Sequence, residues 1–134
     1  MTNSTTDQQL AARALAARKN AYSRYSGFKV GAALLDDNGH IHIGCNVENT
    51  AYPQGSCAET GAIAAMVASG GKRIRSLAVA GGREEIITCT PCGGCRQRIS
   101  EFADTDTRIL VLNDADSWQS FSIQDLLPAS FELD

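Results

Sequence analysis

Phe28-Lys29-Val30-Gly31-Ala32-Ala33-Leu34-Leu35-Asp36-Asp37-Asn38-Gly39-His40-Ile41-His42-Ile43-Gly44 is the stretch whose reading organises the rest of the chain. An apolar run, a polar turn at residues 36–39 and a second short run predict a β-hairpin with strands over 28–35 and 40–44. Upstream, Leu10, Ala14, Ala17 and Ala21 recur at helical spacing, which predicts a helix over 8–24, broken at Ser26-Gly27 and preceded by a polar tail over 1–7. Downstream, 46–55 has no period and carries Pro53 and Gly55, so it reads as a loop. A second helix is expected over 57–69 with Ile63, Met66 and Val67 facing inward, stopped by Gly70-Gly71. Strands follow over 77–80 and 86–88, then a helix over 92–102 opened by Thr90-Pro91, a strand over 108–112, and a short helical piece over 123–127. Strands alternating with helices in one domain of 1–134 predict an α/β fold, a three-layer α/β/α sandwich.

Composition narrows the function classes. The 134 residues are 43% hydrophobic, enough for a core. The net charge of −3 and pI near 5.3 argue against a nucleic-acid partner. No run of 18 apolar residues suggests a membrane partner, and the polar start lacks the pattern of a secretory signal. Five cysteines, two of them in a C-x-x-C, point to metal or redox chemistry rather than a disulfide framework, and to a cytoplasmic location.

Two segments carry chemistry: Cys57-Ala58-Glu59 and Pro91-Cys92-Gly93-Gly94-Cys95. Each falls at the expected start of a helix, where unpaired N–H groups and the positive end of the dipole favour thiolate. Three thiolates from Cys57, Cys92 and Cys95 make an incomplete tetrahedron, with the fourth position left to water, as in catalytic rather than structural zinc sites. Glu59, two residues after a sulfur, would reach that water without ligating the metal. A ligand-x-Glu segment followed by Pro-Cys-x-x-Cys is the arrangement of zinc deaminases.

Other readings of the same residues are open at this point. Ser56 to Glu59 is also an S-x-x-E capping box, in which Glu59 only caps a backbone N–H. Cys92 and Cys95 match a redox dithiol, and Cys89 would convert the three cysteines into a closed four-sulfur zinc site. Cys45 and Cys89 otherwise read as small buried residues, and His40 and His42 as solvent-facing positions of a hairpin strand.

Over 22–131 the chain resembles cytidine deaminases of the small, all-cysteine, homotetrameric type. The resemblance rests on Phe28-Lys29-Val30-Gly31-Ala32-Ala33, Asn46-Val47-Glu48-Asn49, Cys57-Ala58-Glu59, Pro91-Cys92-Gly93-Gly94-Cys95-Arg96-Gln97, and Leu126-Leu127-Pro128 with Phe131. It implies a mixed five-stranded sheet and one Zn2+ per subunit on Cys57, Cys92 and Cys95, with Glu59 as the proton shuttle. It implies that Asn46 and Glu48 hold the ribose hydroxyls, that Phe28 packs on the base, and that Tyr52 and Ala58 complete the substrate contacts. Phe131 would close the pocket of a neighbouring subunit. The implied reaction converts cytidine and deoxycytidine to uridine and deoxyuridine with release of ammonia, as in pyrimidine salvage. The competing functions are deamination of a cytosine nucleoside antibiotic, editing of RNA or DNA, and non-catalytic zinc binding. One position departs from the family pattern: Thr60 stands where Arg is common beside the sulfurs. Arg96 and Arg98 are candidates to supply that charge, and Arg96 could instead support the third helix or a subunit contact.

Overall fold

The computed structural model describes residues 5–133. The central hairpin forms where its sequence places it. Strands β1 (Lys29–Asp36) and β2 (Ile41–Cys45) pair antiparallel, with Ala33 opposite Ile43 and Leu34 opposite His42. Asp36, fully buried, closes the turn: its Oδ1 accepts from the N–H groups of Asn38 (2.8 Å) and His40 (2.9 Å). His42 donates from Nε2 to Asp36 Oδ2 at 2.8 Å, so it is largely covered rather than facing solvent, while His40 is exposed. A buried carboxylate needs such donors, and the neighbouring strand position supplies one.

Helix α1 spans Thr5–Arg18, not 8–24. Residues 5–7 of the expected tail are its first turn, and the rest of that tail lies outside the described residues. Asp7 suits the positive end of the helix, and Arg108 grips both its carboxylate oxygens at 2.6 and 2.7 Å. The helix stops early because the following segment pairs elsewhere. Tyr22 N donates to Asn46 O (3.0 Å), and Glu48 N donates to Tyr22 O (2.8 Å). Tertiary pairing overrides the helical spacing of Ala21.

The sheet has five strands in the order β2-β1-β3-β4-β5, with β3 at Ile74–Gly82, β4 at Arg108–Leu112 and β5 at Trp118–Phe121. Only β3 and β4 run parallel, so the sheet is mixed. The fifth strand is an edge over 118–121 that sequence reading passed over. The expected strand over 86–88 is reduced to a single bridge between Ile87 and Gly81. Both segments are short and half exposed, so neither carries a decisive periodicity.

Helices cover both faces, which is why β1, β3 and β4 read as continuous apolar runs. Ala33, Ala78, Leu110 and Leu112 meet Leu10, Ala11 and Ala14 of α1. The alternate residues Leu34, Leu77, Val79, Ile109 and Val111 meet α2 (Ala58–Ala68), α3 (Gly93–Phe102) and α4 (Ile123–Leu126). Burying each large aliphatic side chain in these layers contributes about 1.5–3 kcal/mol. The buried stripe of α2 is Ala58, Glu59, Ala62, Ile63 and Met66. Val67 falls one residue past that stripe and is 50% exposed, contrary to the expectation that it faces inward. Two glycines set how closely the helices seat. A Cβ on Gly31 would stand 2.1 Å from Ala14 O, and one on Gly44 would stand 2.3 Å from Ala58 O. Only glycine allows those approaches, and Gly44 thereby fixes the first turn of α2 against β2.

Candidate active site

Cys57 is the N-cap of α2 and Cys92 the N-cap of α3, both with extended backbone, and Cys95 lies in the first turn of α3. The loop leading into α3 is tied to the carboxyl end of β4 by a hydrogen bond from Thr88 Oγ1 to Asn113 Oδ1 at 3.0 Å. The cysteines thus gather beyond the carboxyl ends of the parallel pair β3–β4, where open α/β sheets place ligands. Their three Sγ atoms lie within 4.8 Å of one another, with Cys57 and Cys92 at 3.7 Å. A tetrahedral zinc with Zn–S bonds of about 2.3 Å separates its sulfurs by about 3.8 Å, so the donor set fits that ion. Among the described residues this is the one such cluster of metal-ligating side chains. Cys89 stands outside it, half-buried like Cys45 rather than buried.

Charge in this corner is crowded. Burial pushes the Cys57 and Cys95 thiols up; Glu59 and Cys92 add to the rise at both, Cys57 adds to it at Cys95, and Cys95 partly offsets it at Cys57. Burial also opposes ionisation of Cys92, but the backbone N–H of Cys95 and the Cys57 side chain outweigh it and hold Cys92 below its ordinary value. The helix-end preference for thiolate therefore prevails at Cys92 alone. A divalent cation among the three sulfurs would offset both the burial and the mutual repulsion that raise the other two thiols. Glu59 is 4% exposed, and burial is the main cause of its carboxyl being held above the usual range. The capping box does not form: the cap is Cys57, not Ser56, and no side chain caps the helix. Glu59 instead lines a cavity of about 300 Å³ together with Cys57 and Cys92.

The other wall of that cavity comes from loops. Asn46, Glu48 and Tyr52 line it, and Ala58 joins them from the first turn of α2. Asn46 accepts from Val30 N–H (2.8 Å) and donates from Nδ2 to Phe28 O (2.9 Å), locking its amide across the start of β1. Glu48 Oε1 accepts from the N–H groups of Tyr25 (2.8 Å) and Ser26 (3.1 Å), and its Oε2 accepts from Ser26 Oγ. The Ser26 hydroxyl is the main reason the Glu48 carboxyl sits below the usual range. Asn49 caps its own turn, accepting from Ala51 N–H at 2.9 Å.

Tyr52 is 79% exposed, a rim residue whose ring meets Tyr25 edge-on with centroids 6.5 Å apart. Phe28 is half-buried, its ring beside Gly81 and 5.9 Å from the Arg83 guanidinium. Phe131 is 70% exposed and outside the cavity of its own chain, alongside Gln97, Ser100 and Glu101. Cys89, weighed above as a fourth sulfur, lines the cavity without joining the cluster; sequence reading missed Val30 and Thr90, which also line it, and Ser26, which reaches it through Glu48. Ser26 reads as a helix breaker, and no local pattern links it to Glu48.

Thr60 does face the sulfurs, with Oγ1 3.9 Å from Cys95 Sγ. Arg96 does not: it donates to Pro91 O (2.7 Å), Leu126 O (2.8 Å) and Thr90 Oγ1 (3.1 Å), binding the cysteine loop to α4. It supports the third helix. Arg98 is exposed, with Nη1 2.9 Å from where a Cβ on Gly94 would be, over the first turn of α3.

Comparison with known proteins agrees with this geometry. Residues 4–111 match the family model described as the cytidine and deoxycytidylate deaminase zinc-binding region. The chain is 39% identical over 124 residues to a cytidine deaminase of Sporosarcina psychrophila, covering 92% of this chain and 90% of that one. The crystal structure of cytidine deaminase from Burkholderia pseudomallei superposes with a TM-score of 0.83 at 38% identity, covering 92% and 97% of the two chains. That from Mycobacterium tuberculosis gives 0.79 at 37%, covering 93% and 96%.

Proposed function

The chain belongs to the family of cytidine and deoxycytidylate deaminases, and on that premise we propose that it hydrolyses the 4-amino group of cytidine and deoxycytidine, giving uridine and deoxyuridine with ammonia. The observation that carries this reading is a buried Glu59 in one cavity with a three-sulfur cluster of zinc-binding dimensions. Cys57, Cys92 and Cys95 would hold the ion. Bound there, zinc would supply a Lewis acid and lower the pKa of a bound water toward neutrality.

Glu59 takes a proton from the attacking water and delivers it to N3 of the pyrimidine. The C4–O bond forms first; the same carboxylate then takes the second proton from the new C4 hydroxyl and passes it to the amino group, which leaves as ammonia as the C4–N bond breaks and the C4 carbonyl forms. Burial suits Glu59 to this exchange, since its carboxyl gives and takes a proton more readily near neutrality than an exposed one does. Asn46 and Glu48 hold the ribose hydroxyls, Phe28 packs on the base, and Tyr52 and Ala58 form the remaining wall. Among the described residues no Lys or Arg lines the cavity, which favours an uncharged nucleoside over a phosphate-bearing strand.

Phe131 closes the pocket of a neighbouring subunit in a homotetramer. Its support is an exposed C-terminal segment, with Phe131 and Leu133 both outside the cavity of their own chain. Free cysteines suit a reducing, cytoplasmic setting, in which the enzyme would serve pyrimidine salvage. The test is an ultraviolet assay of cytidine loss with ammonia release, run with and without a zinc chelator on a sample of known zinc content. Stoichiometric zinc without ammonia release would leave only a zinc-binding protein.

A further inference from the structure

The turn between α1 and β1 converges on one side chain. Ser26 Oγ donates to Glu48 Oε2 and accepts from Phe28 N–H at 3.0 Å. The same residue's N–H donates to Glu48 Oε1, and its carbonyl accepts from Arg83 Nε at 3.2 Å. Arg83 in turn lies over the Phe28 ring, at cation–π distance. Ser26 therefore touches the carboxylate assigned to the sugar, the backbone of the residue assigned to the base, and the cation behind that residue.

A carboxylate offers about four acceptor positions. Residues 25 and 26 fill three on Glu48, which leaves one, and the other three fix its direction. Glu48 sits in a loop joined to its surroundings through the Tyr22–Val47 and Val47–Ser56 bridges, and Phe28 precedes the first residue of β1.

We propose that Ser26 is a positioning residue for nucleoside binding, its hydroxyl aiming Glu48 at the sugar and setting the spacing from Glu48 to Phe28. This rests on the reading of Glu48 as the ribose ligand. Because the Ser26 hydroxyl is the largest influence lowering the Glu48 carboxyl, removing it should also let Glu48 take a proton at higher pH.

The experiment is steady-state kinetics on cytidine across pH with zinc-loaded Ser26→Ala, Ser26→Thr, Glu48→Gln and Ser26→Ala/Glu48→Gln enzymes. Expected for Ser26→Ala is a KM raised about tenfold, as for a lost charge-assisted hydrogen bond, with kcat changed less than threefold. The rise of KM on the acid side should move toward neutral pH, Ser26→Thr should restore both, and the double variant should match Glu48→Gln within about twofold. A wild-type KM in Ser26→Ala beside a raised KM in Glu48→Gln overturns the positioning role alone. So do losses that multiply in the double variant, or kcat falling in step with KM. An unchanged KM in Glu48→Gln overturns the ribose reading and the proposal with it. If Ser26→Ala fails to fold, Ser26→Cys keeps the volume with a weak donor and is judged by the same criteria.

Discussion

At the sulfur end of the cavity, Cys57, Glu59, Cys92 and Cys95 all sit in the first turns or caps of two helices. At the end proposed to hold the sugar, Asn46 and Glu48, with Ser26 and Phe28 hydrogen-bonded to them, come from a turn and a loop that lie twenty residues apart in the chain. The helix ends are seated on the sheet, α2 through the close approach at Gly44. The loops are held by side chains bonding to backbone, as in Asn46 to Val30 and Phe28, and Glu48 to Tyr25 and Ser26. The contrast teaches a division of labour. On the proposed roles, chemistry is built on rigid elements, whereas recognition depends on polar side chains that must first organise their own loops. Damage at the first end should strike turnover, and damage at the second should strike binding.

Glu59→Gln puts the largest strain on that division. Turnover should fall about 100- to 10,000-fold, the scale of a lost acid–base group, with zinc content intact by metal analysis. Because burial already disfavours the carboxylate, the neutral amide should not lower Tm. More than a tenth of wild-type turnover would remove Glu59 from the chemistry.

Glu48→Ala should act at the other end. A charge-assisted hydrogen bond of about 1.5–3 kcal/mol corresponds to a KM for cytidine raised about 10- to 150-fold. Free cytosine, which has no sugar, should be turned over with little change. Equal losses on both compounds would mean that Glu48 serves only its loop.

Phe131→Ala asks whether a neighbouring subunit contributes to binding. The loss of one aromatic contact, about 0.5–1.5 kcal/mol, should raise KM roughly two- to tenfold while zinc and kcat hold. Sedimentation of the wild-type protein as a fully active monomer would exclude the shared pocket.

The smallest effect is expected for Thr60→Val, which keeps the shape and removes the hydroxyl near Cys95. At 3.9 Å from sulfur that hydroxyl is a weak partner, so zinc affinity in a chelator competition should drop by less than about tenfold. A larger drop would show that the sulfur end depends on side-chain donors as much as the sugar end does.

The same contrast explains what could be read from the residues alone. Cys57-Ala58-Glu59 and Pro91-Cys92-Gly93-Gly94-Cys95 are local patterns, because a helix start, a sulfur and a carboxylate are related by a few residues of chain. The hairpin over 28–44 and the apolar runs of β1, β3 and β4 are equally local, and they determined the layered α/β architecture. Resemblance added Asn46 and Glu48, which no periodicity singles out. Where α1 ends, which edge supplies β5, whether Glu59 caps a helix or lines a cavity, and that Arg96 binds α4 were decided by tertiary structure. Each depends on which of several possible partners a polar group or a short strand meets in space. Ser26 is the sharpest case. Its neighbours in sequence mark it as a helix breaker, and only folding brings Glu48, twenty-two residues away, onto its hydroxyl.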